Sequence, residues 1–297
     1  SLEIPESGSA LENKKYISFA KTMVKKLDMG KNSDHIGFIS ALAFLSQYVA
    51  QYKEAEELYK IDLQFKESLL GRKHPDTIMV YDSLARAYEN QGKYQKAEKM
   101  YEKCLQIREQ VLGKEHPDTA VSYDNLAGVY RYQGKYQRAE ELYEKALKVS
   151  KQILGEEHPL TATFYNNLAT MYDIQGEYKK AEELYEKCLW IEERVLKKNH
   201  PDTAMTYNNL AVIYEKQGKY QKAKELYEKG LQIREQILGK AHPDIAMTYN
   251  NLAVMYENQG KYQEAEKLYK KSLQIREQVL GMEHPFTATS YNNLASV

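Results

Sequence analysis

The dipeptide His-Pro recurs at His74, His116, His158, His200, His242 and His284, each 42 residues after the last and without slippage. A fixed period of this size marks a stacked-repeat chain, in which each unit buries its apolar face only against its neighbours. Such a chain offers an extended surface rather than one deep catalytic pocket.

The repeat from His200 to Ala241 contains two helical patterns separated by a glycine. In the first, Ala204, Tyr207, Leu210, Ala211 and Tyr214 follow the i, i+3, i+4, i+7 spacing of an amphipathic helix. Pro201 suits the first helical position, and Asp202 places a negative charge at the positive end of the helix dipole. Gly218 closes this helix, because glycine adopts positive φ cheaply. A second apolar stripe runs through Tyr220, Ala223, Leu226, Tyr227, Leu231, Ile233 and Leu238 to a stop at Gly239. The unit is therefore a helical hairpin. Of the 26 tyrosines, most fall on four repeat positions, and recurrent large side chains at helical spacing read as packing between repeats. Alanines between them, such as Ala211 and Ala223, allow close approach.

The strings YNNLA (from Tyr165, Tyr207, Tyr249 and Tyr291), QGKY, LQIREQVLG and HPDTA together resemble the long tetratricopeptide repeats of kinesin light chains. Nephrocystin-like and bacterial signalling proteins carry similar arrays. The usual tetratricopeptide period is about 34 residues; here eight more lengthen the helices around Leu231–Gly239. The resemblance implies an all-α, right-handed superhelical solenoid of antiparallel hairpins. It covers residues 32–297, with six full repeats (32–73, 74–115, 116–157, 158–199, 200–241, 242–283) and a truncated first helix at 284–297. The first repeat is degenerate: Asn32 and Ser33 stand for His-Pro, Ile39 for the leading tyrosine and Ala50 for the turn glycine. The ending at Val297, short of a second helix, reads as a cut within a longer array. Residues 1–10 are expected to be flexible, and 11–31 to form an N-terminal capping helix, which makes fourteen helices in one elongated domain.

Lysine plus arginine equals aspartate plus glutamate at 42 each, and this balance argues against nucleic acid, whose phosphates demand a basic face. No apolar run approaches the ~20 residues of a membrane span, and no signal peptide is visible, so a cytoplasmic protein is expected. Cys104 and Cys188 occupy one position two repeats apart. Helices packing ~8–10 Å apart would hold them beyond the ~7 Å disulfide limit. Successive histidines sit on successive repeats, so they cannot converge on one metal ion, and the His-Pro-Asp signal reads as a turn and helix start. Glutamates and lysines of the second helix, such as Glu225, Glu228 and Lys229, read as a solvated face. No enzyme and no cofactor are expected.

One constellation points to binding. With ~100° per residue, Asn209 falls about 180° from the core stripe, beside Met205, Val212 and Lys216, while Asn208 lies nearer the core edge. In tetratricopeptide arrays this side lines the concave groove. The asparagine recurs at Asn125, Asn167, Asn209, Asn251 and Asn293, and an amide ladder can both donate to and accept from an extended peptide backbone. The kinesin-light-chain resemblance implies that these five positions contact a cargo peptide. Met205, Met247, Val212, Val254, Arg86 and Lys216 complete the expected groove. Kinesin light chains prefer acidic, tryptophan-bearing motifs, which need a basic groove; this one has few cations and much apolar surface.

The chain is thus expected to be a non-catalytic protein-interaction module taking an extended peptide or partner helix in its groove. The alternative is a sensor or scaffold segment of a larger signalling protein such as a P-loop ATPase. It is expected to be mostly monomeric, with weak end-to-end self-association through the uncovered Tyr291, Leu294 and Ala295 side of the final helix.

Overall fold

From the second repeat on, each unit begins at a histidine whose side chain starts a helix. In the computed structural model, which describes residues 34–196 and 199–297, all six histidines of the His-Pro dipeptides are N-caps with extended backbone. The Nδ1 of His200 accepts the backbone N–H of Asp202 at 3.2 Å, and proline fills the first helical position. Capping acceptors are usually Ser, Thr, Asp or Asn oxygens; here an imidazole lone pair does the same work.

The first helix of each hairpin then ends on Gln-Gly-Lys. In the fifth repeat Gly218 has φ 74°, its N–H bonds to the Glu215 carbonyl and that of Lys219 bonds to Tyr214, both at 2.8 Å, which is the Schellman closure. In the first repeat Ala50 takes the glycine's place and is held at φ 59°, where its Cβ is crowded.

The described helices are α1 (Asp34–Tyr48), α2 (Tyr52–Leu69), α3 (Pro75–Asn90), α4 (Tyr94–Val111), α5 (Pro117–Tyr132), α6 (Tyr136–Ile153), α7 (Pro159–Ile174), α8 (Tyr178–Val195), α9 (Pro201–Lys216), α10 (Tyr220–Leu238), α11 (Pro243–Asn258), α12 (Tyr262–Leu280) and α13 (Pro285–Ala295). They pair as six antiparallel hairpins followed by a single helix, and the described residues include no strand. The flexible N-terminus (1–10) and the capping helix (11–31) of the sequence reading lie outside the described residues. The chain divides into two compact units, Ser1–Ala146 and Leu147–Val297, a division to which the even repeat period gives no clue.

Within each unit the hairpins are built alike. In α9 the stripe Ala204, Tyr207, Leu210, Ala211 and Tyr214 is buried, but so are Thr203, Thr206 and Ile213. The buried arc is wider than the stripe because the helix contacts its own partner α10, α8 before it and α11 after it. Tyrosines pack with the ring inside and the hydroxyl on a carboxylate: Tyr214 donates to Glu186 at 2.9 Å and Tyr227 to Glu215 at 3.1 Å.

Polar side chains tie successive repeats together. In the unit to Ala146, Gln133 and Lys135 both bond Glu98 of the preceding repeat, at 2.7 and 3.1 Å. In the unit from Leu147, Gln217 and Lys219 do the same to Glu182, at 2.8 and 2.9 Å. The QGKY string is thus a clamp as well as a turn, and part of the charged face assigned to solvent is spent on it. Glu225 and Glu228 are exposed, paired along their own helix with Gln221 and Lys224.

Candidate functional site

After burial on three sides, the first helix of each hairpin keeps one open stripe. On α9 it runs through Asp202, Met205, Asn209, Val212 and Lys216, at steps of three and four residues that align on one helical face. Met205 is 44% exposed and its equivalent Met247 39%; Val212 and Val254 are half-buried. Lys216 is exposed and paired to Asp173 of the preceding repeat at 2.6 Å. Arg86 is exposed and Asn125 half-buried, both in the first unit; the other predicted groove residues belong to the second.

The asparagines form a ladder in the second unit, but not the free one that the sequence suggests. The Nδ2 of Asn209 donates to Oδ1 of Asn166 at 3.2 Å, Asn251 to Asn208 at 3.2 Å and Asn293 to Asn250 at 2.8 Å. The second asparagine of the last three YNNLA strings therefore bonds to the first asparagine one repeat earlier. Asn167, Asn209, Asn251 and Asn293 are all half-buried, and Asn167 lies 3.4 Å from its neighbour Asn166. Asn208 is 7% exposed, a core-edge acceptor. An amide carries two N–H groups and one carbonyl oxygen, so each rung spends one donor and retains polar capacity. In the first unit an aspartate stands at the place of the first asparagine, Asp124 before Asn125 and Asp82 before Ser83, and Asp82 is taken by Arg108 at 2.5 Å.

A second periodic feature was not singled out from the sequence. The last turn of the second helix exposes large apolar side chains repeat after repeat: Leu69, Val111, Ile153, Val195, Ile237 and Val279 are each 40% exposed or more. Their 42-residue spacing was visible, but a helix-end stripe reads as core unless the hairpin geometry is known. Ile237 and Leu238 lie with Met205 and Met247 around one cavity of about 260 Å³.

A further arginine position also emerges. Arg234 and Arg276 are buried, and each donates to a hydroxyl fourteen residues on, Thr248 and Ser290, and to a backbone carbonyl ten residues on. Burial lowers the pKa of both guanidinium groups. In the fourth repeat the same place holds Glu192, which is 5% exposed and whose Oε2 has no hydrogen-bond partner among the described residues.

Cys104 and Cys188 are free and buried, and burial pushes both thiols up. Among the described residues no cluster of His, Cys, Asp and Glu could hold a metal ion, and no helix is long and apolar enough to cross a membrane.

The tetratricopeptide-repeat family model matches residues 38–110, 83–152, 118–191, 160–236 and 244–297. Among solved structures, BtubC (BKLC) from P. vanneervenii is 27% identical, with a TM-score of 0.62 over 78% of this chain and 94% of that one. A Podosopora anserina protein, described as a putative kinesin light chain with nearly identical TPR-like repeats, is 30% identical, with a TM-score of 0.61 over 70% and 98%. The apo form of RapI shares the fold at 19% identity and a TM-score of 0.58, over 83% and 99%. The comparison with curated proteins returned no match.

Proposed function

Because the chain belongs to the tetratricopeptide-repeat family, a family of protein-interaction scaffolds, we propose that it is a non-catalytic module that holds an extended peptide along the open stripe of its first helices. The observation that carries this reading is the ladder from Asn166 to Asn293, with methionine and valine beside it on the same faces. A rung that keeps an amide donor and acceptor after bonding its neighbour can pair with a peptide backbone, whose groups need partners once water is displaced. Apolar neighbours supply area for alternate side chains of the ligand. The array acts as an adaptor or scaffold surface, mostly monomeric, and two free buried thiols suit a cytoplasmic setting.

The test is a peptide-array screen followed by calorimetry on the triple variant Asn167→Ala, Asn209→Ala, Asn251→Ala. At ~0.5–1.5 kcal/mol per lost bond, affinity for the selected peptide should fall tenfold or more while helicity is retained. Unchanged affinity in a folded variant would move the binding site off this face.

A further inference from the structure

The cavity at Met205 and Met247 differs from the rest of the stripe in both shape and charge. Its apolar walls are those two methionines, from α9 and α11, and Ile237 and Leu238, from the last turn of α10. All four are 36–44% exposed, so a cavity of about 260 Å³ is bounded by apolar groups left to water. A cavity of roughly 150 Å³ suffices for a benzene ring, so this one has room for one leucine or aromatic side chain. Methionines suit such a wall because their unbranched chains adapt to the shape they meet.

Two carboxylates stand at its rim. The side chains of Asp202 and Asp244, which also line the cavity, are 61% and 54% exposed. Their nearest cationic candidates are Nδ1 of His200 and His242, at 3.6 and 3.8 Å. Each of those nitrogens already accepts the backbone N–H of the same aspartate, so its lone pair is in use. Arg234 also borders the cavity, but its guanidinium donates to the Asp244 carbonyl and the Thr248 hydroxyl. Among the described residues no lysine or arginine lies within 4.0 Å of either carboxylate. Only here does the aspartate–methionine pairing fall on two consecutive repeats: the second repeat carries Asp76 and Met79, but the third has Asp118 and Val121, the fourth Leu160 and Thr163, and the final helix Phe286 and Thr289.

We propose that this cavity is a specificity subsite for a bulky apolar peptide residue flanked by lysine or arginine. The proposal rests on the peptide-binding reading above and assigns the ligand's chemistry at one position. The apolar side chain fills the space between the methionines, and the neighbouring cation pairs with Asp202 or Asp244. The last turn of the long second helix, supplied by the extra length of the repeat, thereby becomes part of the binding surface.

The experiment uses the whole chain labelled with ¹³C at the methionine methyls, nine signals in all. Two capped pentapeptides serve as probes, Gly-Lys-Leu-Lys-Gly and Gly-Glu-Leu-Glu-Gly. The lysine peptide should shift the Met205 and Met247 signals, bind about tenfold more tightly than the glutamate peptide at low salt, and lose that advantage as screening increases. The Asp202→Asn, Asp244→Asn variant should bring the two peptides to equal affinity while its methyl spectrum stays folded. Silence at Met205 and Met247 under the lysine peptide, or equal binding of both peptides to the unmodified chain, would overturn the proposal. Failure here combined with a tenfold loss in the asparagine variant would sink the subsite and leave the peptide-binding face intact.

Discussion

Glu192 is the residue whose replacement tests the packing logic most directly. It occupies the place of Arg234 and Arg276, yet it is an acid, 5% exposed, with Oε2 unpartnered among the described residues. Burial raises its pKa above the ordinary 4.5, and Asp202 adds to the effect, while hydrogen bonds from Thr206 and Cys188 and the nearby His200 act the other way. The folded protein therefore holds this proton more tightly than the unfolded chain does. For a carboxyl shifted upward, the stabilising contribution is full below the unfolded pKa of about 4.3 and is lost as pH rises through the folded value. Above that folded value the wild type carries an ionised group in the wrong surroundings. Glu192→Gln keeps the shape and removes the charge, so it avoids a cost of ~1–3 kcal/mol for an unsatisfied buried group. With an m-value of ~2 kcal/mol/M, the urea midpoint should rise by about 1 M. Urea unfolding followed by circular dichroism at pH 7.5 and pH 4.0 is the assay, and the gain should shrink towards zero at the lower pH, where both side chains are neutral. Glu192→Arg should also stabilise at pH 7.5, since a guanidinium there can reach the Thr206 hydroxyl and the Asp202 carbonyl, at the offsets seen for Arg234 and Arg276. A glutamine variant that is less stable at pH 7.5, or equally stabilised at both pH values, would refute the reasoning.

Three other outcomes follow from the geometry. Burial raises the pKa of Glu56, but bonds from Lys60, Lys93 and Gln91 outweigh it and hold the carboxyl at about 2, and Glu98 and Glu182 are lowered in the same way. The clamp's contribution is therefore present above the unfolded pKa and lost as pH falls from about 4.5 towards 2, and Glu98→Gln with Glu182→Gln should flatten this acid limb in a pH-dependent melt. Ala50→Gly should raise stability by ~0.5–1 kcal/mol in urea, because relief of a left-handed alanine (~1–2 kcal/mol) exceeds the entropy glycine adds to the unfolded chain; a loss of stability would show that φ 59° costs nothing there. Leu210→Ala, at 2% exposure, should cost ~2–5 kcal/mol and speed hydrogen exchange chiefly in residues 158–283, whereas equal loosening of residues 34–146 would contradict nearest-neighbour coupling.

The hairpins were legible because each boundary is written by a residue whose backbone chemistry leaves few options: proline at the first helical position, glycine where φ must be positive. The six histidines announced helix starts, although the imidazole's role as the capping acceptor is a matter of atoms, not spacing. What could not be read was anything that depends on the register between repeats. Glu98 meets Gln133 and Lys135 across 35 and 37 residues, and Asn209 meets Asn166 across 43. None of these offsets equals the 42-residue period, so aligning repeats upon themselves never brings the partners together. The exposed side of the first helix was placed from its angle alone, but the half-burial of its asparagines follows from how closely the next repeat stacks. A pairwise signal did exist. Lys224 stands where Glu98 and Glu182 stand in their repeats, and in the following repeat Lys261 turns to Gln259 at 2.8 Å instead of clamping backward.

Near-identity of the later repeats separates what holds the fold from what can choose a ligand. Capping histidine, closing glycine, paired tyrosines and buried alanines recur because each repeat must present the same surface to the next. The second and fifth positions after each histidine's own are free of that demand: they read Leu160 and Phe164's neighbour Thr163 in one repeat, Asp202 and Met205 in the next, then Asp244 and Met247. These side chains face outward, so changing them alters charge and apolar area without disturbing a buried contact. Two consecutive repeats with the aspartate–methionine combination enclose a cavity between them, which a single such repeat could not form. Ligand choice in an array of this kind therefore lies in the combination of adjacent repeats, and a change at Met205 or Met247 acts on the cavity that both repeats line.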